Sequence, residues 1–234
     1  MSFSYYNDEA LETIARKVIS KYDPSLLYKP SPIPVEGIME KVYGLNLEFQ
    51  YIRKNGRILG ETIFEDAEIP IYEYGNGGGY KLILVKAGTV IIDASLLHER
   101  SSNGRLRFTC AHELAHWVID RKYFMQLGET ANLSYDSTNT DFAEKFIDYD
   151  IMHHKTECDN IIVEKFVRSS NTSDAIERQA NRMASRILMP KCTLKPAFYQ
   201  VRDNTSQAVS YLAALYGVSK HAMQIRLEEM GLLA

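Results

Sequence analysis

Hydrophobic positions at the start of the chain follow the period of a helix. Apolar residues recur every three or four positions over residues 7–21, which predicts an amphipathic helix. Pro24 ends that helix, because proline disfavours helical backbone in the residue before it. After an extended proline-rich connector, residues 35–43 again show the helical period, and Gly44 is a common kind of helix stop.

The period then changes from about 3.6 to two, as in half-buried β-strands. The predicted strands are residues 45–51, 58–64, 68–74, 80–85 and 89–92. Asn55-Gly56 between the first two is typical of a hairpin turn. The glycine-rich residues 75–79 lack a following Gly-Lys-Ser/Thr and helix, so we interpret them as a connection rather than a phosphate loop. The pattern predicts a mostly antiparallel sheet of three to five strands.

After a polar turn predicted at residues 101–104, the next helical pattern contains the sequence His-Glu-x-x-His. His112 and His116 are four residues apart, so they lie on one helix face and can bind one metal ion. Glu113 is about 100° around the helix, near enough to accept a proton from a water that the metal activates. Zinc suits such ligands and lowers the pKa of its water to about 7. The motif predicts a zinc-dependent peptide hydrolase; the alternative is two ordinary half-buried histidines.

A catalytic zinc site needs a third protein ligand besides water. A histidine ten residues after His112 is excluded, because position 122 is lysine. Asp136 lies twenty residues after His116, but its neighbours have the composition of a loop, and metal ligands need fixed elements.

Glu177 is the better candidate, on a predicted helix that Thr172 or Ser173 caps and Pro190 ends. Ala180 and Ala184 share its helix face, and their small side chains would let this helix pack closely against the motif helix. Asn181, one turn after Glu177, can orient a ligand histidine. The alternative is a solvated glutamate near the end of a helix.

Two blocks of this sequence resemble the ImmA/IrrE metallopeptidase family. They are Arg107-Phe108-Thr109-x-Ala111-His112-Glu113-Leu114-Ala115-His116-Trp117, and Glu177-x-x-Ala180-Asn181-x-x-Ala184 followed by Ile187-Leu188-Met189-Pro190. The resemblance runs from about residue 35 to the C-terminus and is weaker at Gly217-Val218-Ser219 through Arg226-Leu227. Ala115 stands where the family usually has glycine, and the segment between the blocks is longer than expected.

The resemblance implies an α+β fold with a zincin-like core, in which a small sheet supports the two motif helices. It implies that His112, His116 and Glu177 bind the metal and that Glu113 is the general base. It also implies a cytoplasmic bacterial or phage-derived peptidase that cleaves helix-turn-helix transcriptional repressors. We expect one zinc ion per chain, with manganese as the alternative. The rival function is a non-catalytic zincin-like regulator that binds a repressor or DNA.

The second block precedes a tail that is predicted to be helical. We expect residues 1–190 to form the zincin-like domain, with 121–172 as an insertion or lid, and residues 191–234 to form a helical subdomain. Within that tail, residues 205–230 have the spacing of a helix-turn-helix. Acidic residues follow the few basic ones there, which favours packing or repressor docking over DNA binding. An electrophilic helper for the oxyanion is expected among Tyr199, Tyr211, His98 and His221.

Charge and composition narrow the function further. The net charge of −3 argues against a mainly nucleic-acid-binding protein, which is usually basic. No apolar run approaches the roughly 18 residues that span a bilayer, and the N-terminus does not have the pattern of a signal peptide. We therefore expect a cytoplasmic protein without membrane contact. His153 and His154 are adjacent and cannot share a face, so a second metal site with Cys158 is not favoured.

Overall fold

The computed structural model describes residues 4–52, 58–73, 79–98, 103–126, 133–136, 170–202 and 205–233. Its helices in these ranges are α1 (Asp8–Tyr22), α2 (Val35–Tyr43), α3 (Asn103–Ala115), α4 (Arg121–Gln126), α5 (Ser170–Leu188), α6 (Lys191–Val201), α7 (Thr205–Tyr216) and α8 (Lys220–Glu229). Its strands there are β1 (Asn46–Gln50), β2 (Ile58–Thr62), β3 (Ala67–Tyr72), β4 (Tyr80–Val85), β5 (Thr89–Asp93) and β6 (Leu133–Asp136). A π-helical turn, His116–Asp120, joins α3 to α4.

The strands form a four-stranded sheet with the order β1-β5-β2-β6 and a separate two-stranded sheet of β3 and β4. β2 is antiparallel to both of its neighbours, and β3 is antiparallel to β4. β1 and β5 pair in parallel, which the alternating sequence pattern did not predict. The hairpin predicted at Asn55-Gly56 is wrong, because β5 lies between β1 and β2. The prediction of an α+β fold with a small, mostly antiparallel sheet and several helices is confirmed.

The four-stranded sheet has a helix on one face and the β3–β4 hairpin on the other. Val90 and Ile92 of β5 belong to the main core, which also contains the buried residues of α3. Ile91, between them, points to the opposite face and packs in a smaller cluster with residues of β3 and β4. This alternation follows from the two-residue period of a strand. It leaves α3 packed directly against β2 and β5.

The main core also joins the N-terminal and C-terminal helices. Buried residues of α1, α2, α3, α5, α6, α7 and α8 all contribute to it. Arg226 of α8 donates from Nε to the Met189 carbonyl oxygen at 3.3 Å and forms an ion pair with Glu12 of α1. Residues on both sides of position 190 therefore share one core, and the division into two subdomains at that position stays a prediction.

Two helices begin earlier than the sequence pattern indicated. α3 starts at Asn103, although residues 101–104 were expected to form a polar turn, and α5 starts at Ser170. Gly104 explains the first difference. A Cβ atom there would lie 3.0 Å from the Ser219 backbone nitrogen, so glycine allows the first turn of α3 to touch the α7–α8 connection.

Some sequence predictions lie outside the described residues. They are most of the glycine-rich connection, and His153, His154 and Cys158. Of the predicted insertion 121–172, the described parts are α4, β6 and the first turn of α5. Among the helices described, none has both the length and the apolar character needed to cross a membrane.

Arg107 ties the motif helix to two distant parts of the chain. The side chain is buried, and its Nε donates to the Gly217 carbonyl oxygen at 3.0 Å, while Nη2 donates to that of Ile33 at 2.8 Å. One guanidinium group thus links α3 to the α7–α8 turn and to the connector before α2. Its rigid fork of donors suits two acceptors at once.

We predict that Arg107→Met lowers the free energy of unfolding by about 2–4 kcal/mol, because two carbonyl oxygens lose their donors in a buried place. Urea denaturation should show a lower midpoint with an unchanged slope. Arg16→Met, at an exposed position of α1, is the matched control and should change stability by less than about 0.5 kcal/mol. Equal midpoints for the two variants would contradict the structural role of Arg107.

Candidate metal centre

The structure brings together the three residues that were predicted to bind a metal. His112 and His116 come from α3 and the π turn, and Glu177 comes from α5. The two Nε2 atoms are 2.9 Å apart, and Glu177 Oε2 is 3.2 Å from His112 Nε2. Glu177 Oε1 is 3.6 Å from His116 Nε2. The ligand atoms of the three residues all lie within 4.8 Å of one another, so they can hold one metal ion.

The other nitrogen of each imidazole is held by a buried oxygen. His112 Nδ1 lies 2.9 Å from Asn181 Oδ1, and His116 Nδ1 lies 2.8 Å from Asp120 Oδ2. Both oxygens are acceptors, so each Nδ1 carries the hydrogen and donates it. In the neutral imidazoles each Nε2 then carries a lone pair and no hydrogen. Both lone pairs point toward the Glu177 carboxylate, the arrangement that a metal ion requires.

The distances between ligand atoms fit a zinc-sized ion. Zinc lies about 2.0–2.1 Å from its nitrogen ligands in a tetrahedral site, so two such nitrogens are about 3.3 Å apart. The three separations here range from 2.9 to 3.6 Å. Two imidazoles and one carboxylate also leave the fourth tetrahedral position open, as catalytic zinc sites do. The residues present therefore fit the metal that the sequence predicted.

In the metal-free site, protons supply the positive charge that a bound cation would supply. The pKa values of His112, His116 and Glu177 show this. Burial would raise the pKa of Glu177, but the neighbouring imidazoles of His116 and His112 outweigh it and hold that pKa at about 2. Burial alone would lower the pKa of His116, yet the Glu177 and Asp120 carboxylates raise it well above its usual value. Burial and the nearby His116 lower the pKa of His112. Metal binding must therefore displace a proton from His116, so affinity rises with pH.

Glu113 lies beside the trio in a fully buried pocket formed with β2. Its Oε2 accepts a hydrogen bond from Thr62 Oγ1 at 2.6 Å. Its Oε1 has no hydrogen-bond partner within the described ranges. Burial raises the pKa of Glu113 to about 8, although His116 and the Thr62 hydrogen bond oppose the rise. This carboxyl group therefore has a high proton affinity next to the metal ligands.

Gly60 makes room for that carboxyl group. A Cβ atom at position 60 would lie 2.5 Å from Glu113 Oε1, closer than any non-bonded contact allows. β2 is thus shaped around Glu113 from two positions: Gly60 provides the space and Thr62 provides the hydrogen bond.

Asp120 is a site residue that the sequence analysis missed. It lies four residues after His116, and the intervening segment is a π turn in which the Arg121 N–H bonds to the His116 carbonyl oxygen. An acidic residue one turn after the second motif histidine is a signal that could have identified it, because residues four apart share a helix face. Asn181, in contrast, was predicted, and it lies beside His112 as expected.

The four candidates for an oxyanion helper lie on different elements. His98 follows the short turn Ala94–Leu97, and His221 is on α8. Tyr199 on α6 and Tyr211 on α7 are about half exposed, and the Tyr199 ring lies 5.1 Å from the Arg202 guanidinium. Tyr199 also lines a groove between the C-terminal helices. None of these positions decides between the candidates, and all four stay predictions.

We predict that Asp120→Asn weakens zinc binding about 10- to 100-fold, the usual cost of changing the partner of a ligand histidine. The neutral amide can no longer stabilise the hydrogen on His116 Nδ1 by charge. Competition against a chromophoric chelator measures the affinity. Glu40→Gln, which removes an exposed carboxylate on α2, should leave it unchanged. An Asp120→Asn affinity equal to that of the control would show that Asp120 does not orient His116.

We predict that Gly60→Ala destabilises the metal-free chain by about 1–3 kcal/mol, because the new methyl group must displace the Glu113 carboxyl. Without that clash, glycine to alanine in a strand would be neutral or stabilising. Gly79→Ala is the control, since a Cβ there meets no atom within 4 Å. Urea denaturation of the metal-free chains measures both variants. A midpoint for Gly60→Ala equal to or above that for Gly79→Ala would contradict the predicted clash.

Comparison with known proteins finds a family model that is similar to part of the chain. Residues 149–228 match the family model Peptidase_M78, which is described as the IrrE N-terminal-like domain. The matched span contains α5, with Glu177 and Asn181, and the helices α6, α7 and α8 up to Glu228. His112 and His116 precede it. A search of curated proteins finds no match. The match is a similarity over this span, and it agrees with the resemblance that the two sequence blocks carry.

Proposed function

We propose that the chain is a cytoplasmic zinc-dependent endopeptidase with a zincin-like core. The observation that carries this proposal is the convergence of His112, His116 and Glu177 beside the buried carboxyl of Glu113. Glutamate as the third ligand makes the site gluzincin-like. The peptidase match over residues 149–228 supports the reaction class, and the geometry supports the assignment of roles to individual residues.

Zinc is the metal that we propose, at one ion per chain. Two imidazoles and a carboxylate, with the fourth tetrahedral position left open, are typical of catalytic zinc. Manganese, the alternative, prefers six ligands dominated by oxygen. Two of the three ligand atoms are nitrogen here, which favours zinc.

Glu113 is the group that moves protons. When bound, the zinc ion supplies Lewis acidity toward the scissile carbonyl oxygen and toward water. Glu113 accepts the proton of the attacking water and then donates it to the leaving amine nitrogen. Thr62 fixes Oε2, so Oε1 is the oxygen open to accept that proton. The high proton affinity that burial gives Glu113 suits both steps.

Asn181 and Asp120 set the directions of the ligands. Each holds the Nδ1–H of one histidine, so that the Nε2 lone pair stays directed at the metal position. Both partners are buried, so each hydrogen bond holds its histidine in one orientation. Such support is what gives a metal site its fixed geometry.

The substrate that we propose is a helix-turn-helix transcriptional repressor, whose cleavage would relieve repression in a stress response or a mobile element. This follows from the family resemblance. The C-terminal helices are consistent with a protein partner, since the exposed positions of α8 are Lys220, Gln224, Glu228 and Glu229. One lysine and two glutamates give these four side chains a net charge of −1, whereas a DNA-reading helix needs a basic face.

The test is incubation with the repressor encoded beside this gene, with zinc and with a chelator, followed by mass analysis of fragments. We predict that Glu113→Gln binds zinc with the stoichiometry of the unaltered chain but cleaves about 10²- to 10⁴-fold more slowly, the usual contribution of a general base. Glu40→Gln is the control for loss of a carboxylate and should cleave at the unaltered rate.

The outcomes separate the proposal from its rival. Cleavage that needs zinc and Glu113 supports the peptidase. A Glu113→Gln chain that cuts at the unaltered rate would contradict the mechanism. A chain without stoichiometric zinc, which binds the repressor or DNA equally well after chelation, would indicate the non-catalytic regulator. Salt dependence of any DNA binding then tells whether phosphate contacts carry it.

A further inference from the structure

The strand β2 runs directly beside the carboxyl group of Glu113. A Cβ atom on Gly60 would lie 2.5 Å from Glu113 Oε1, and Thr62 Oγ1 donates to Glu113 Oε2 at 2.6 Å. Gly60 and Thr62 alternate along β2, so both are on the sheet face that α3 covers. A peptide paired with β2 would lie one strand spacing, about 4.8 Å, from the strand that Glu113 contacts.

Both edges of β2 are already paired. β5 lies along one edge, and β6 pairs antiparallel with the other, where Tyr135 is opposite Gly60 and Leu133 is opposite Thr62. A peptide added outside β6 would lie two spacings, about 10 Å, from β2. A general base must come within about 3 Å of the proton that it accepts, or reach it through one water. The position that β6 holds is therefore the one that a reacting peptide needs.

The attachment of β6 to the sheet is slight. The strand has four residues, and within the described ranges β2 is the one strand beside it. The register between the two strands shifts between Ile58 and Gly60, which interrupts the regular ladder of hydrogen bonds. β5, in contrast, pairs on both sides and is buried along its whole length. β6 can therefore separate at a lower free-energy cost than β5, because fewer contacts must break.

We propose that β6 is an autoinhibitory strand, which lies where an extended substrate peptide would pair with β2 and must leave before cleavage. Extended peptides commonly bind by adding a strand to a free sheet edge, where main-chain hydrogen bonds supply affinity. Release of β6 creates such an edge beside Glu113. The strand belongs to residues 121–172, the predicted insertion or lid. This inference rests on the proposed peptidase and adds a form of regulation to it.

Hydrogen exchange measures the opening of β6 without any need for cleavage. Successive residues of β2 direct their N–H groups to opposite edges, so one set faces β5 and the other faces β6. We expect the set that faces β6 to exchange about 100-fold faster in the unaltered chain, because local opening requires less free energy than opening of the core. Equal protection of the two sets would overturn the inference.

Proline substitutions test whether the release of β6 promotes cleavage. Ser134 and Tyr135 are adjacent, so one of their two N–H groups points toward β2. Proline removes that donor and disturbs the strand. We expect the effective proline variant to raise kcat/KM for the repressor about 10- to 100-fold, the gain when a competent state populated at about 1–10% becomes dominant. Zinc affinity should stay the same.

The matched controls are Ser134→Ala and Tyr135→Ala, which keep every backbone donor and should cleave at the unaltered rate. If neither proline variant cleaves faster than its alanine control, β6 does not inhibit and the inference is overturned.

A reversible disulfide tests the same step in the opposite direction. Ile58 of β2 and Asp136 of β6 are paired positions, so cysteines at both can link the two strands. We expect the oxidised Ile58→Cys, Asp136→Cys chain to cleave at least about tenfold more slowly than the same chain after reduction by a phosphine, because the competent state is no longer populated. The unaltered chain, oxidised and reduced in parallel, controls for Cys110 and Cys192.

The results distinguish this inference from the proposed function. If the unaltered chain and all variants fail to cleave the repressor with zinc, the proposed function fails and this inference fails with it. If cleavage requires zinc and Glu113 but the oxidised chain remains as active as the reduced one, β6 stays in place during catalysis. The peptidase then stands, and only the autoinhibitory role of β6 is overturned.

Discussion

The close approach of α3 and α5 is the constraint on which the site depends. His112 and Glu177 are far apart in the chain, yet the Glu177 carboxylate lies 3.2 Å from His112 Nε2. Both helices carry alanines without exposed surface in the main core, and they are Ala111, Ala115, Ala180 and Ala184. Small side chains let two backbones approach, whereas larger ones would hold the helices further apart and separate the ligands. Both helix packing and the approach of the metal ligands therefore require small side chains at these four positions.

The second constraint is charge. Glu113, Asp120 and Glu177 supply three carboxyl groups around two imidazoles, and burial penalises every charged form. The pKa values show how the metal-free chain responds: those of Glu113, Asp120 and His116 are all raised, so these groups bind protons more readily. A divalent cation would replace those protons as the source of positive charge. A metal ion would complete the electrostatic balance of this site, and acid should favour the metal-free form.

The sequence predicted the parts of the structure that local patterns encode. The hydrophobic period and the residues that end helices predicted three features: the helix over residues 7–21, the short helix closed by Gly44, and the strands before the motif. The structure contains these elements. The two motifs also identified the three residues of the candidate metal site. The parallel pairing of β1 with β5 was not predictable in this way, because alternation shows that a residue faces the core but not which strand lies beside it.

The residues missed by sequence reasoning act over distance or through irregular backbone. Asp120 reaches His116 from a π turn, which no periodic template includes. Gln179 bonds to backbone atoms of Ser4 and Tyr6. Every residue type has these atoms, so the sequence does not indicate the contact. At the start of α3, Gly104 contacts the α7–α8 turn, which is far away in the sequence.

That same turn shows how the C-terminal helices relate to the site. Gly104 and Arg107 both contact the α7–α8 connection, and both belong to α3. His112 follows Arg107 on the same helix, less than two turns further on. A partner that docks on the exposed side of α8 would therefore be held at a set position relative to the ligand helix. In a peptidase that recognises a folded repressor, such a connection would align the docked protein with the metal, and the buried Arg107 would be the residue that maintains it.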